Sequence, residues 1–220
     1  MATCSGTSYS TNGEGIGVGQ DKTARYTGVM AIRQPKPSAT PIPVSRYHGR
    51  RMSEEEYLAL PEEKPYLEYV DGVVLQKAMP NAIHRDLIQL LTHLIYVYQQ
   101  KAGGRGGPEG RVRLPDGSGY RLPDTAYWAP DRFAGDDSVP STVIEVRSRD
   151  QGMAALRRKC RAFRANGVDV CWLIDPYARI VEIFEGDRDG EALAPDGALE
   201  TSVMPGFSVS LSELFTVIDR

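Results

Sequence analysis

The chain reads LPDTAYWAPDRFAGDDSVPSTVIEVRSRDQGMAALRRKCRAFRANGVDVCWLIDP over residues 122–176. Apolar, strand-like segments occur at 125–128, 139–148 and 168–174, and a segment with helical periodicity lies between the last two, at about 151–165. Nearly continuous apolar character in the second strand is typical of a central strand covered on both faces. Because a helix separates two such strands, the sequence predicts an α/β fold in which a mixed β-sheet core is flanked by helices.

The predicted helix of this segment carries a basic residue at the edge of its apolar face. That face comprises Met153, Leu156, Cys160 and Phe163. At about 100° per residue, Lys159 falls at the margin of the face and can reach inward, whereas Arg158 and Arg161 point further away. Ser148 or Asp150 is the expected N-cap of this helix.

The remaining elements are predicted from capping patterns, turn residues and hydrophobic periodicity. In chain order they are a helix at 54–60, a hairpin at 66–76, a helix at 83–101, a hairpin at 110–122, a strand at 179–184, an acidic loop at 187–197, a strand at 201–204 and a helix at 211–215. Residues 1–45 are rich in Gly, Ser, Thr and Pro, which predicts a disordered tail. Residues 46–220 are expected to form one domain.

Composition limits the classes of function. The chain has 220 residues, a net charge of −3 and a pI of about 5.7, so an anion-binding site must be a local patch. Cys4, Cys160 and Cys171 have neither disulfide nor metal-ligand spacing, which fits a reducing compartment. We find no signal-peptide pattern and no apolar run long enough to cross a bilayer, so we expect a cytoplasmic protein with no membrane partner.

Two carboxylates lie on neighbouring strand-like segments. Asp124 and Glu145 are far apart in the sequence, but they become neighbours if their strands pair. Two such carboxylates would hold one divalent cation, and would repel each other without it. The alternative is that Asp124 is a turn residue and Glu145 a paired structural acid. The apolar neighbours of Glu145 require that its charge have a partner or a metal.

Basic residues are concentrated between residues 147 and 164. They are Arg147, Arg149, Arg157, Arg158, Lys159, Arg161 and Arg164. Contact with phosphate is one interpretation, and a solvated helix face is the other. Arg147 lies two residues beyond Glu145 and therefore on the same strand face. His84, in the first turn of its predicted helix, is by itself interpreted as a polar helix-start residue.

The acidic residues and their surroundings resemble a known nuclease core. Asp124 followed by Glu145-Val146-Arg147 is similar to the metal core of the PD-(D/E)XK nuclease superfamily, and the whole series resembles the Uma-two family of restriction endonucleases over about 53–215. The series comprises Glu68, Gly72, His84, Leu114-Pro115-Asp116-Gly117, Pro123-Asp124, Glu145-Val146-Arg147-Ser148, Leu156, Lys159, Phe163, Asn166-Gly167-Val168 and Trp172-Leu173-Ile174-Asp175-Pro176.

The resemblance implies a restriction-endonuclease-like fold over residues 46–220 and metal-dependent hydrolysis of DNA. It implies that Asp124 and Glu145 bind Mg²⁺, for which Mn²⁺ can substitute, with the Val146 carbonyl as a third ligand. Lys159 would be the catalytic lysine, displaced from the strand to the helix. DNA is then the expected partner, and a homodimer is left open.

Further roles follow from the same resemblance. Glu68 would orient water or Lys159, His84 would be a marginal participant, and Arg147 would share with Lys159 the stabilisation of developing negative charge. Two alternatives stay open at this point. One is a non-catalytic protein of the same fold that binds DNA or a protein, and the other is an enzyme acting on RNA or a nucleotide.

Overall fold

A computed structural model of the protein describes residues 44–135 and 137–219, so the predicted tail lies almost entirely outside the described residues. The elements are α1 (Glu54–Leu58), β1 (Leu67–Val70), β2 (Val73–Gln76), α2 (Ala82–Ala102), β3 (Arg105–Pro108), β4 (Val112–Leu114), β5 (Gly119–Arg121), β6 (Thr125–Trp128), β7 (Thr142–Val146), α3 (Met153–Ala165), β8 (Val170–Asp175), β9 (Ile180–Glu185), β10 (Arg188–Ala192), β11 (Ala198–Leu199), β12 (Val209–Ser210) and α4 (Leu211–Thr216).

The strands form one large mixed sheet and two smaller antiparallel ones. The large sheet has the order β10-β9-β8-β7-β6-β3, and its β7–β8 pair is parallel while its other pairs are antiparallel. Helix α3 makes the crossover between β7 and β8, as parallel neighbours require. A second sheet has the order β2-β1-β5-β4, and β11 pairs with β12. The predicted α/β class is thereby confirmed. In the described part of the chain, no helix is both long and apolar enough to span a bilayer.

The two faces of the large sheet carry different cores. On one face, α2 and α4 pack over Ile144, Val146 and Trp172. On the other, α3 packs over Val143 and Leu173. Side chains alternate along a strand, so Glu145 projects with Val143 toward α3. This alternation places a carboxylate between the sheet and the helix that bears Lys159.

Local sequence explains several element boundaries. Ser53 and Glu56 form the predicted capping box at the start of α1. Asp71 and Gly72, between β1 and β2, have φ angles of 49° and 80°, the left-handed conformation that a two-residue hairpin turn requires. Asn81 caps α2 by accepting a hydrogen bond from the His84 N–H at 3.0 Å. The long helix therefore starts at Ala82, and His84 lies in its first turn.

Some predicted elements were wrong. The strand expected at 201–204 lies in turns, and β11 and β12 flank it instead. The loop expected at 187–197 contains β10, which pairs with β9 through its backbone despite its polar sequence. The strand expected at 139–148 is limited to β7. Neither Ser148 nor Asp150 caps α3, because the helix begins after Gly152 without a side-chain cap.

The glycine-rich segment after α2 forms the edge strand β3, which was not among the predicted elements. A Cβ atom on Gly106 would collide with the Ile95 side chain of α2. Glycine at this position therefore allows α2 to lie directly against the edge of the large sheet. The pairing of β3 with β6 extends the large sheet by one strand beyond β6.

Candidate active site

The structure brings Asp124 and Glu145 together at one end of the β6–β7 pair. Thr125 is paired with Ile144 in antiparallel register, so the next step of the register sets Asp124 opposite Glu145. Directly opposed residues of an antiparallel pair project to the same face. Both carboxylates are buried, with 3% and 2% of the residue exposed. The Val146 N–H donates a hydrogen bond to Asp124 Oδ2 at 2.7 Å, which fixes the carboxylate against β7.

Lys159 reaches this pair from α3. Its Nζ lies 2.9 Å from Glu145 Oε1 and 2.7 Å from Glu68 Oε1, and it donates a hydrogen bond to the Leu122 carbonyl at 2.9 Å. The residue is only 8% exposed. The inward direction expected from helical periodicity is therefore observed. Lys159 is also the counter-ion of two buried acids, a structural role that the sequence did not predict.

Glu68 and His84 complete the inner part of the cluster. Glu68 lies on β1, on the opposite face from Leu67, and its Oε1 also accepts the Leu122 N–H at 2.9 Å. His84, in the first turn of α2, places Nε2 3.0 Å from Asp124 Oδ2. His84 is thus at the start of α2, as its sequence alone favoured, and is in addition a buried neighbour of Asp124.

Lys77 is a member of the cluster that sequence reasoning missed. It follows directly after β2, and its Nζ lies 2.8 Å from Asp124 Oδ1 with 10% of the side chain exposed. The sequence signal for it is weak. A single lysine beyond a hairpin strand is usually solvated, and the pairing of this hairpin with β5, which ends shortly before Asp124, brings it to the site. We call Glu68, Lys77, His84, Asp124, Glu145 and Lys159 the acid–lysine cluster.

Arg147 does not join the acid–lysine cluster. Its guanidinium forms an ion pair with Asp175 at 2.8 Å and donates to the Gln151 carbonyl at 2.9 Å. Strand β7 ends at Val146, so strand alternation no longer governs the direction of Arg147. The expectation that Arg147 points at Glu145 is corrected by this geometry.

Most of the predicted basic patch is neutralised. Arg157 is paired with Glu182 and Arg161 with Asp189, while Arg164 donates to the backbone carbonyls of Val168 and Asp169. Within the described residues, Arg149 and Arg158 have no salt-bridge partner. Among the arginines of the patch, the interpretation as a phosphate-binding surface therefore applies best to those two, since Arg164 is engaged by backbone carbonyls.

Burial and charge set the protonation of the cluster. Burial would raise the pKa of Asp124, but Lys77 and then His84 hold that pKa well below its usual range. Burial raises the pKa of Glu145 to about 7, against the lowering effect of Lys159. Burial opposes the charge of Lys159, yet the carboxylates of Glu145 and Glu68 keep its pKa above the usual range. The pKa values of the two central acids are thus moved in opposite directions.

The oxygen atoms of the acid–lysine cluster are of the kind that binds a divalent cation. Carboxylate and backbone carbonyl oxygens are the ligands that Mg²⁺ prefers. Among the described residues, Glu145 Oε1 is buried without a hydrogen-bond partner, although Lys159 Nζ lies at ion-pair distance. In the same residues, no group of three His, Cys, Asp or Glu side chains is arranged to hold a metal. Any ion would therefore rest on Asp124, Glu145 and a backbone oxygen such as the Val146 carbonyl.

The raised pKa of Glu145 predicts a pH-dependent stability of the metal-free protein. Its folded pKa is about 7, against an ordinary value of 4.5. The stability contributed by this proton is complete below the unfolded pKa and is lost as pH rises through the folded pKa. Glu145→Gln removes the titrating carboxyl group and keeps the shape of the side chain. From about pH 5 to pH 8, its melting temperature should therefore rise relative to wild type by roughly a few degrees.

Thermal melts in EDTA measure this difference. Glu62→Gln is the matched control because that glutamate is exposed, and its melting temperature should follow wild type at every pH. A Glu145→Gln difference that does not change with pH would show that the Glu145 carboxyl is not the titrating group.

The family model described as "Uma2: Putative restriction endonuclease" matches residues 54–212, which include the entire acid–lysine cluster. The chain belongs to the Uma2 family. Membership of the Uma2 family supports a nuclease function in general. No curated protein matches this Uma2 chain.

One solved structure supports the fold of this chain. The crystal structure of a putative nuclease belonging to DUF820 from Anabaena variabilis ATCC 29413 is similar to this chain, with a TM-score of 0.69 and 23% sequence identity. The similarity covers 76% of this chain and 99% of that chain. The cryoEM structure of a DrdV–DNA complex matches with a TM-score of 0.35 and 12% identity, over 60% of this chain and 10% of that chain.

Proposed function

We propose that this Uma2 protein is a metal-dependent endonuclease that hydrolyses DNA phosphodiester bonds with a metal-activated water. The observation that carries the proposal is the placement of Asp124 opposite Glu145, with the Lys159 ammonium 2.9 Å from Glu145. Two hard oxygen ligands beside a fixed cation are what hydrolysis of a phosphodiester requires. The family match supports the same reaction class.

Each member of the cluster has a separate task in this proposal. Asp124, Glu145 and the Val146 carbonyl would hold Mg²⁺ or Mn²⁺. When bound, such an ion lowers the pKa of a water and polarises the phosphoryl oxygen. The Val146 N–H keeps the Asp124 carboxylate in place, and His84 restrains its Oδ2 from the other side. These two contacts orient one ligand before any ion arrives.

Lys159 supplies the positive charge for the developing negative charge on the phosphoryl group. Its Nζ is directed by the Leu122 carbonyl and by Glu68, so its position is fixed before the reaction. Arg147 is the weaker candidate for this role because its guanidinium is engaged by Asp175. Glu68 acts through Lys159 rather than on the substrate.

One observation favours a second candidate, a non-catalytic member of the fold that binds DNA or a protein. The carboxylates of Asp124 and Glu145 each already have a lysine ammonium within 2.9 Å. A site neutralised by its own side chains has less need of a metal. Metal dependence separates the two candidates, since a binding protein would not require Mg²⁺ to act.

Cleavage of supercoiled plasmid DNA tests the proposal. Wild-type protein is incubated with Mg²⁺, Mn²⁺ or EDTA, and Asp124→Asn is the control for a contaminating nuclease. We expect nicked or linear product with either metal, no product in EDTA and none from the variant. Competition with RNA tests the remaining alternative, an enzyme that acts on RNA or a nucleotide instead of DNA. DNA binding without cleavage under any metal condition would instead favour the non-catalytic candidate.

A further inference from the structure

Lys77 is placed between two carboxylates. Its Nζ lies 2.8 Å from Asp124 Oδ1 and 4.0 Å from Glu109 Oε1. The side chain is 10% exposed, and among the described residues Nζ has no hydrogen-bond partner of good geometry. A buried ammonium held only by charge can be drawn away more easily than one fixed by directional bonds. The contact between Lys77 and Asp124 is therefore the most easily exchanged contact of the acid–lysine cluster.

Lys159 provides the contrast. Its ammonium donates a hydrogen bond to the Leu122 carbonyl and lies within 2.9 Å of both Glu68 and Glu145. If a metal bound one of these carboxylates, Lys159 would keep its other two contacts. Among the described residues, Lys77 has no second contact as short as its contact with Asp124, so a cation bound by Asp124 would displace it.

Glu109 offers the displaced ammonium a second partner. It lies in the loop between β3 and β4 with a φ angle of 54°, and its N–H donates to the Asp124 carbonyl at 3.3 Å. Its side chain is 40% exposed, so its charge remains solvated while it faces Lys77. The loop thus holds a carboxylate 4.0 Å from Lys77 Nζ, within reach of a small rotation of the lysine side chain.

We infer that Lys77 is a resident counter-ion that competes with the divalent cation for Asp124 and passes to Glu109 when the cation binds. The inference rests on the proposed metal site and adds to it a residue that sets the metal concentration the site requires. In the metal-free protein Lys77 neutralises Asp124. Lys77 is a positioning residue, because it acts through Asp124 and Glu109 and not on the substrate.

Lys77→Met gives two opposite effects that a purely structural lysine would not give. Without metal, the variant should melt below wild type, because Asp124 loses its nearest counter-ion. With Mn²⁺, its dissociation constant should fall about tenfold, since a competing unit charge near 3 Å is removed from the site. Calorimetric titration with Mn²⁺ measures the constant, and the metal-induced rise in melting temperature provides an independent readout. The exposed Lys101→Met is the control, and both its properties should equal wild type.

A double-mutant cycle tests the transfer to Glu109. Glu109→Gln removes the second partner, so it should weaken Mn²⁺ binding about two- to fivefold while Lys77 is present. In the Lys77→Met background the same substitution should have a smaller effect, because there is no longer a Lys77 ammonium that could move to Glu109. Equal effects in both backgrounds would overturn the transfer to Glu109.

The outcomes separate this inference from the proposed function. If wild-type protein binds Mn²⁺ and Lys77→Met binds it with an unchanged or larger dissociation constant, the inference is overturned and the metal site stands. If wild-type protein binds no Mn²⁺ at millimolar concentration, the proposed metal site fails together with the inference.

Discussion

Lys159→Met is expected to slow metal-dependent DNA cleavage by about a hundredfold or more, the usual effect of removing one fixed donor at a developing negative charge. The ammonium lies 2.9 Å from Glu145 Oε1, and methionine retains the apolar stem without the charge. The measurement is the single-turnover rate of plasmid nicking with saturating Mg²⁺. Protein concentrations are corrected for the folded fraction at the assay temperature.

The same substitution should also destabilise the protein. Glu68 and Glu145 are both buried and lose their shared counter-ion, which by general experience with buried pairs costs about 3–5 kcal/mol. Combining Lys159→Met with Glu68→Gln removes one of the two buried carboxylates that would otherwise be left unpaired. The double variant should regain part of the melting temperature and none of the cleavage rate, which separates the structural role from the chemical one.

Arg158→Met is the matched control for Lys159→Met. Arg158 immediately precedes Lys159 on α3 and is exposed, so its loss should leave the cleavage rate nearly unchanged. If Arg158 contacts a phosphate, the slope of DNA affinity against salt should fall by about one unit. Equal cleavage by both variants would reassign the catalytic cation to Arg147.

Loss of either carboxylate should have the larger effect. Asp124→Asn and Glu145→Gln each remove one of the two charged ligands while keeping the side-chain shape. We expect cleavage to fall by about a thousandfold or more, because the metal supplies several kcal/mol of transition-state stabilisation. Calorimetry should show that Mn²⁺ binding is lost in the same variants, and circular dichroism should show that the fold is kept.

Glu182→Gln is the comparison for the carboxylate variants. Glu182 is also a buried acid near α3, but it is paired with Arg157 and lies outside the acid–lysine cluster. Its loss should lower stability without changing the affinity for Mn²⁺. Retention of wild-type cleavage and Mn²⁺ affinity by Glu145→Gln would contradict the ligand assignment.

Sequence patterns predicted the elements whose signals are local. The Asp71-Gly72 turn, the capping box at Ser53 and the periodicity of α2 each depend on residues only a few positions apart, and each appears in the structure. Strands β3, β11 and β12 were missed because they are stabilised by pairing with distant partners rather than by their own composition. The register of β6 against β7, on which the site depends, is of this non-local kind.

The candidate site was predicted in part for the same reason. Strand patterns pointed to Asp124 and Glu145 and helical periodicity to Lys159, and the order of the three along the chain carries the family resemblance. Lys77 was missed because its role arises from the pairing of the β1–β2 hairpin with β5, a contact between distant parts of the chain. The direction of Arg147 could not be predicted, because it depends on where β7 ends and on the position of Asp175 at the end of β8.

The acid–lysine cluster draws its members from β1, the end of β2, α2, the start of β6, β7 and α3. Translation reaches Lys159 last of these residues, and the cluster requires contacts of high sequence separation that form only with the complete domain. A nascent chain that ends before α3 has the carboxylates without the ammonium that joins Glu68 to Glu145. On the proposed function, hydrolysis would therefore begin only after the chain has been synthesised through α3 and has folded.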